Sequence, residues 1–202
     1  MATAPIVAYV KTVLADDDVR KAFDARIADL SSNDGVSRNS DDEAARAESY
    51  LFEVIDLIGQ TLEAAEREKA RHFAGPLMKV ARRYFFHEDD LIPDHQGLFG
   101  LIDDAYLAHR FVLRLSEEVA ADRGAPLLED LKPELDAPIR TILGPEMVEA
   151  LDARVEQDLK SILPRSKVAM LAMRTGTLPN VSMDSWQNIE EHESRMRTGS
   201  KA

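Results

Sequence analysis

Apolar residues recur three and four positions apart along most of the chain, and no stretch alternates as a strand would. Such spacing places them on one side of a helix, so each stripe predicts an amphipathic helix. The first short helix starts near Pro5, a residue favoured at helix starts, and its stripe is Ile6, Tyr9, Val10, Val13 and Leu14. The second begins at Asp16 to Asp18, whose carboxylates can accept free backbone N–H groups. Its stripe is Val19, Ala22, Phe23, Ile27 and Leu30, and the two helices together predict a helical hairpin.

A polar loop from Ser31 to Ser40 precedes a longer predicted helix. The sequence Ser40-Asp41-Asp42-Glu43 has the pattern of a capping box, in which a serine and a glutamate three residues later satisfy free N–H groups. The stripe of this helix is Ala47, Leu51, Val54, Ile55, Ile58, Leu62 and Ala65. Gly75-Pro76 is predicted to break or kink it, and a further helical stretch runs from Leu77 to Phe86.

In the second half of the chain, apolar positions from Ile102 to Val119 predict a helix that ends near Gly124, a residue typical of a C-terminal cap. Ala125-Pro126 and Lys132-Pro133 predict a short connection. Gly144-Pro145 starts the next predicted helix, and Pro164 ends it. Its stripe is Met147, Leu151, Val155, Leu159 and Leu163, and residues 168–173 predict a last short helix.

These stripes predict an all-α fold, namely a single-domain bundle of six to eight helices over residues 1–175. Hydrophobic residues make up 45% of the chain, which is enough for a buried core. From Gly176 onward the sequence is polar, which predicts a flexible tail over residues 176–202.

Acidic residues outnumber basic ones by 37 to 25 among the 202 residues, which gives a net charge of −12. Such a surface repels phosphate backbones and anionic lipid headgroups, so the charge disfavours nucleic acid and membrane surfaces as partners. The chain contains no cysteine, which excludes disulfides and thiolate metal sites. No secretion signal is recognisable, because Lys11 and Asp16 interrupt the first apolar stretch. We therefore expect a soluble, cytoplasmic protein.

The segment between the two central predicted helices concentrates proline, glycine and aspartate, and from Tyr84 to Tyr106 it reads YFFHEDDLIPDHQGLFGLIDDAY. Asp90, two aliphatic residues, Pro93 and Asp94 are followed six residues later by Gly100, and then by the pair Asp103-Asp104. In this spacing the segment resembles the core motif of the YkvA-like family, a bacterial domain of unknown function. The resemblance covers about residues 77–115. It implies a helical hairpin and no particular activity, since the family has no settled one.

This version of the motif departs from the family in two places and in its charge. Family members usually place a Ser-Pro pair where His87-Glu88 stands here, and a second proline where Gly97 stands. Members are often more apolar around the turn, and some sit in membrane proteins. The acidic segment found here therefore disfavours the membrane association that the resemblance would otherwise imply.

Elementary backbone chemistry predicts a tight turn at this motif. Pro93 fixes its own φ and pushes the residue before it out of helical geometry, while Gly100 permits a close approach or a left-handed turn. Asp94 would then cap a short helix, and Asp103 or Asp104 would cap or support the first turn of the next. We favour this structural interpretation of the aspartates.

The alternative interpretation is a divalent cation site. Its candidate ligands are carboxylates and imidazoles close in sequence: Asp90, Asp94, Asp103, Asp104, His87 and His95. Carboxylates suit magnesium, calcium or manganese, and histidines would add zinc or iron. The spacing matches neither an EF-hand nor a His-Glu-x-x-His motif, and adjacent aspartates on a helix point about 100° apart. A bound cation is therefore the less favoured interpretation.

Near the C-terminus, Met183, Trp186 and Ile189 stand at helical spacing. They can form a short amphipathic segment for contact with a partner, or they can fold back onto the chain's own body.

These observations favour a non-catalytic, cytosolic interaction or regulatory protein, whose acidic surface binds a basic protein partner or whose bundle self-associates. A metal-binding helical protein, even a hydrolase, is the alternative, and peripheral membrane association ranks below it. No phosphate-binding loop, nucleophile elbow or dinucleotide fingerprint supports an enzyme.

Overall fold

The computed structural model describes residues 3–67, 71–86 and 97–174, and gives the side chains of all of these except 71–74, 122–123 and 162–174. Within these ranges the chain is helical and contains no strand. The elements are α1 (Ala4–Leu14), α2 (Asp17–Asp34), α3 (Ser40–Arg67), α4 (Arg71–Phe86), α5 (Leu98–Arg123), a 3₁₀ helix (Pro133–Asp136), α6 (Ala137–Leu143) and α7 (Pro145–Arg174). The predicted all-α fold and the predicted number of helices are confirmed.

Helix α5 lies at the centre of the bundle, with α3, α4 and α7 packed along it and α1, α2 and α6 in further contact. Every residue from Gly97 to His109 is buried, because neighbouring helices cover this part of α5 on all sides. Helix α3 contributes the largest neighbouring surface, with buried positions that run from Ala44 to Ala65. Three polar residues in the first half of α5, Asp103, Asp104 and His109, therefore lie inside the core.

The starts of the first three helices follow from their sequence. Pro5 stands in the first turn of α1, and Asp16 caps α2 by accepting the backbone N–H of Asp18 at 2.9 Å. The predicted capping box at Ser40 is wrong, because Asn39 caps α3 by accepting the N–H of Asp41 at 3.0 Å. The hydroxyl of Ser40 instead donates to Asp24 of α2 and joins the two helices.

The structure differs from the sequence prediction at two prolines and in the connection after α5. Helix α4 runs through Gly75-Pro76 without ending there, and α7 runs through Pro164 to Arg174 as a single helix. A proline removes one backbone hydrogen bond, but the bonds on either side keep the helix continuous. The connection after α5 also contains structure that was not predicted, the 3₁₀ helix and α6, each of which has a proline in its first turn.

The positive φ at the start of α5 belongs to Gly97, at +68°, and not to Gly100, which lies inside the helix. A Cβ built on Gly97 would come 2.8 Å from the Cα of Val19 in α2. Gly97 therefore serves both purposes that the sequence suggested for Gly100, namely a positive φ and a close backbone approach. The start of α5 is thereby seated directly on the first turns of α2.

Candidate functional site

The polar residues of the central helix are the first candidates for a functional site. Asp103, Asp104 and His109 are all 0% exposed. The prediction that Asp103 or Asp104 caps the start of a helix is wrong, because α5 begins at Leu98 and both carboxylates belong to its second turn. Asp103 does accept the backbone N–H of Asp104 at 3.1 Å, but this bond lies within the core.

The predicted cation site falls largely outside the described residues. Asp90, Asp94, His87 and His95 lie there, as does the turn residue Pro93. Among the residues that are described, no group of three or more histidine, aspartate or glutamate side chains could hold a metal ion. A cation site that joins Asp103 and Asp104 to Asp90 and Asp94 therefore stays a prediction.

A second buried polar group surrounds His109 at the junction of α3, α5 and the 3₁₀ helix. We call Tyr50, His109 and Asp136 the His109 site. The hydroxyl of Tyr50 lies 3.4 Å from Nδ1 of His109, and the two rings meet edge to face with centroids 5.9 Å apart. Burial lowers the pKa of His109 below its usual 6.5, and the negative charge of Asp136 only partly opposes this. The imidazole is thus held in its neutral form.

A third group lies where α5 meets α6 and α7. Asp152 of α7 accepts hydrogen bonds from the hydroxyl of Tyr106 at 3.1 Å and from Nε of Arg110 at 3.0 Å. Arg140 of α6 donates to the same hydroxyl at 3.3 Å. Burial and the neighbouring carboxylate raise the pKa of Tyr106, so the phenol keeps its proton and ties three helices together.

A fourth group joins α4 to α7 around a buried carboxylate. Asp158 is 6% exposed and accepts a hydrogen bond from the hydroxyl of Tyr84 at 2.7 Å. It also forms ion pairs with Arg83 of α4 and with Arg154, whose Nε lies at 3.5 Å. We call these four residues the Asp158 tie. All three partners approach the same carboxylate oxygen, Oδ2, and together they offset the cost of burying its charge.

Sequence reasoning missed the carboxylates of both of these interhelical groups. Asp152 and Asp158 flank the predicted stripe residues Leu151 and Leu159, and acidic residues so close to a stripe could have indicated buried partners. Their arginine and tyrosine partners lie on other helices, far away in sequence. Spacing along one helix therefore could not identify the pairs.

The outer surface of α3 and the connection from residue 124 to 136 together carry an excess of carboxylates. The exposed residues Asp56 and Glu63 follow half-buried Glu53 on one side of α3. Glu129, Asp130 and Glu134 are exposed on the connection, which reaches α3 through an ion pair between Lys132 and Glu53 at 3.3 Å. We call these six carboxylates the acidic face.

The possible partner-contact residues Met183, Trp186 and Ile189 lie outside the described part of the chain. Within residues 3–67, 71–86 and 97–174, no helix combines the length and the apolar character needed to cross a membrane.

Comparison with known proteins found no matching family model, no matching curated protein and no matching solved structure. The resemblance of the Asp90 to Asp104 motif to the YkvA-like family therefore stays a prediction from the motif alone.

Proposed function

We propose that this chain is a non-catalytic, cytosolic interaction or regulatory protein that binds a basic protein partner. The observation that carries the proposal is the acidic face, where five of the six carboxylates belong to exposed residues on α3 and the connection. Glu53 forms an ion pair with Lys132, and Asp56 accepts a hydrogen bond from the side-chain amide of Gln60 at 2.6 Å. Clustered carboxylates produce a negative potential that attracts basic surfaces and accelerates their encounter.

The buried polar groups support the same proposal because they hold the helices in fixed positions. The Asp158 tie and the Tyr106–Asp152 group link helices to one another, so their charged side chains serve to position α4, α5, α6 and α7. A bundle held in this way offers a fixed outer surface, and a preorganised surface binds with less loss of conformational entropy.

The test is a pull-down with the full chain at low and high salt. A stoichiometric partner with a basic surface should be recovered at low salt and lost at high salt, because screening weakens exposed charges. The double variant D56K/E63K should lose this partner. The matched control E146K/E149K, at exposed positions of α7, should retain it.

Equal binding by the two double variants would contradict the role of the acidic face. A monomeric chain without any partner would overturn the proposal as a whole, and size-exclusion chromatography with light scattering would show whether the partner is a second copy. Deletion of residues 176–202 tests the separate hypothesis that Met183, Trp186 and Ile189 contact the partner.

The alternative function, a divalent-metal-binding helical protein, is favoured by one observation, the complete burial of Asp103 and Asp104. Buried carboxylates are typically found with cations or hydrogen-bond donors around them. Metal analysis of untagged protein, together with thermal shifts with and without chelator, tests it. No bound metal and no shift with magnesium, calcium, manganese or zinc would exclude this function.

A further inference from the structure

One side of α4 combines positive charge with an exposed aromatic ring. The helix carries basic residues and no acidic one, although the whole chain has a net charge of −12. Lys79, Arg82 and Phe86 are exposed and recur three and four positions apart, which places them on one side of the helix. Phe86 is 41% exposed, and Tyr9 of α1 packs beside it with ring centroids 5.3 Å apart. We call these four residues the α4 patch.

The α4 patch rests on a fixed part of the bundle. The next residue along the helix, Arg83, turns inward to pair with Asp158, and Tyr84 donates a hydrogen bond to the same carboxylate. The turn of α4 that carries Arg82 is therefore held against α7. A surface that is already in place loses little conformational entropy when it binds, so the patch is suited to dock another segment.

The chain beyond α7 contains a segment of complementary composition. Residues 183–193 read MDSWQNIEEHE, which has no lysine or arginine and four carboxylates, namely Asp184, Glu190, Glu191 and Glu193. Its apolar residues Met183, Trp186 and Ile189 stand three positions apart and can share one side of the segment. Carboxylates complement exposed cations and an indole ring complements exposed aromatic rings, and the α4 patch presents both.

The length of the chain allows this segment to reach the patch. Arg174 ends α7 sixteen residues after Asp158, which is about 24 Å along a helix at 1.5 Å per residue. The twelve residues from Arg174 to Trp186 span up to about 40 Å when extended, which is more than the return to Asp158 and on to α4 requires. Residues 87–96 are acidic too, but they contain no Phe, Tyr or Trp and have to connect α4 to α5.

We propose that residues 183–193 dock on the α4 patch of the same chain, with Trp186 against the two aromatic rings and the glutamates against the two cations. This inference goes beyond the proposed binding function, which rests on the acidic face of α3 and the connection. The docked segment covers the basic side of α4. An acidic partner could therefore bind there only after the segment has left, which makes the contact autoinhibitory for that surface.

The test uses Trp186, the single tryptophan of the chain, as a probe of docking. In the full wild-type chain its emission should be shifted to the blue, and its quenching by acrylamide should be weaker than in the urea-unfolded chain. In K79E/R82E both should move toward the values of the unfolded chain. The control R46E reverses an exposed arginine of α3 and should change neither. Circular dichroism checks that the variants keep their helices.

Charge reversal of the tail provides the second arm of the test. E190K/E191K should expose Trp186 as K79E/R82E does, and added salt should do so in the wild-type chain, because screening weakens exposed charge pairs. The quadruple variant K79E/R82E/E190K/E191K should regain protection, since opposite charges face each other again. If K79E/R82E does not fold, E190K/E191K decides alone, because its substitutions leave α1 to α7 unaltered.

Three results would overturn the proposal. Trp186 in the wild-type chain could be as accessible as in urea, or its quenching could be the same in wild type and E190K/E191K. Protection that increases with protein concentration would assign the docked segment to a second copy. Failure of this test leaves the binding of a basic partner by the acidic face untouched, because D56K/E63K and the α4 patch variants alter different surfaces.

Discussion

The Asp158 tie and the His109 site both bury a titratable side chain between helices, but they differ in how fully that side chain is paired. Asp158 contacts two arginines and a tyrosine hydroxyl. His109 lies at a long 3.4 Å from the hydroxyl of Tyr50, and the backbone of Leu131 and Lys132 and the charge of Asp136 lie close enough to affect its pKa. A buried charge with three partners on two helices fixes those helices relative to each other. A buried group held neutral by desolvation destabilises the fold when it takes up a proton.

The largest expected effect is at the Asp158 tie. Asp158→Ala leaves Arg83 and Arg154 without their carboxylate and should lower the free energy of unfolding by about 3 kcal/mol, near the low end for a broken buried pair because Arg83 is one-third exposed. Urea denaturation measures the loss. Asp158→Asn keeps an acceptor for Tyr84 and should cost less; an equal cost would show that packing, not pairing, matters here.

The two tyrosines provide a direct comparison of the sites. Tyr84→Phe removes a 2.7 Å hydrogen bond to a carboxylate and should cost about 1.5 kcal/mol. Tyr50→Phe removes a 3.4 Å contact to His109 and should cost about 0.5 kcal/mol, since long bonds are weak. Chemical denaturation at pH 7.5 distinguishes the two, and a larger loss for Tyr50→Phe would reverse the ranking of the sites.

The pH dependence of stability should come from His109. Because its pKa is lowered in the folded chain, the unfolded chain binds the proton more readily below pH 6.5. Stability is therefore fully present above 6.5 and falls as the pH drops toward the folded pKa, by at most about 1.4 kcal/mol per pH unit. Denaturation of wild type and H109Q between pH 5.5 and 7.5 measures the difference, and parallel curves would contradict this origin.

The smallest expected effect is at Lys132, the left-handed residue over the His109 site. Lys132→Gly relieves the strained φ and loses only an exposed ion pair with Glu53, so it should stabilise the fold by about 0.5 kcal/mol. Lys132→Ala keeps the strain and loses the ion pair, so it should be slightly destabilising. Thermal denaturation compares them, and equal melting temperatures would show that the backbone there is unstrained.

Sequence patterns predicted the elements whose signals are local. The aspartates at the start of α2 and Gly124 at the end of α5 stand where they were expected, because caps act within one helical turn. Helices α4 and α7 continue through Gly75-Pro76 and Pro164, where a break and an end were predicted, because a helix can continue past the one bond that a proline removes. The residue types predicted that Ser40 would cap α3. In the structure the Ser40 hydroxyl binds Asp24 of α2, and Asn39 caps α3 instead.

The candidate sites were less predictable than the fold. Asp103 and Asp104 were correctly singled out, but their place inside a fully buried helix depends on the neighbours packed around α5. The partners of Asp152 and Asp158 come from other helices, and no spacing rule within one helix reports such pairs. No sequence pattern singled out His109, because burial, rather than residue type, gives it its chemistry.

The close seat of Gly97 on Val19 has a consequence for how this sequence can vary. Every other amino acid begins with a Cβ, and at Gly97 that atom would meet the backbone of α2 at 2.8 Å, which no change of rotamer can relieve. Gly124 shares the positive φ but has nothing within 4 Å of such an atom. In a saturation library, position 97 should therefore accept glycine alone, while position 124 should tolerate asparagine and other residues at the modest cost of a left-handed backbone.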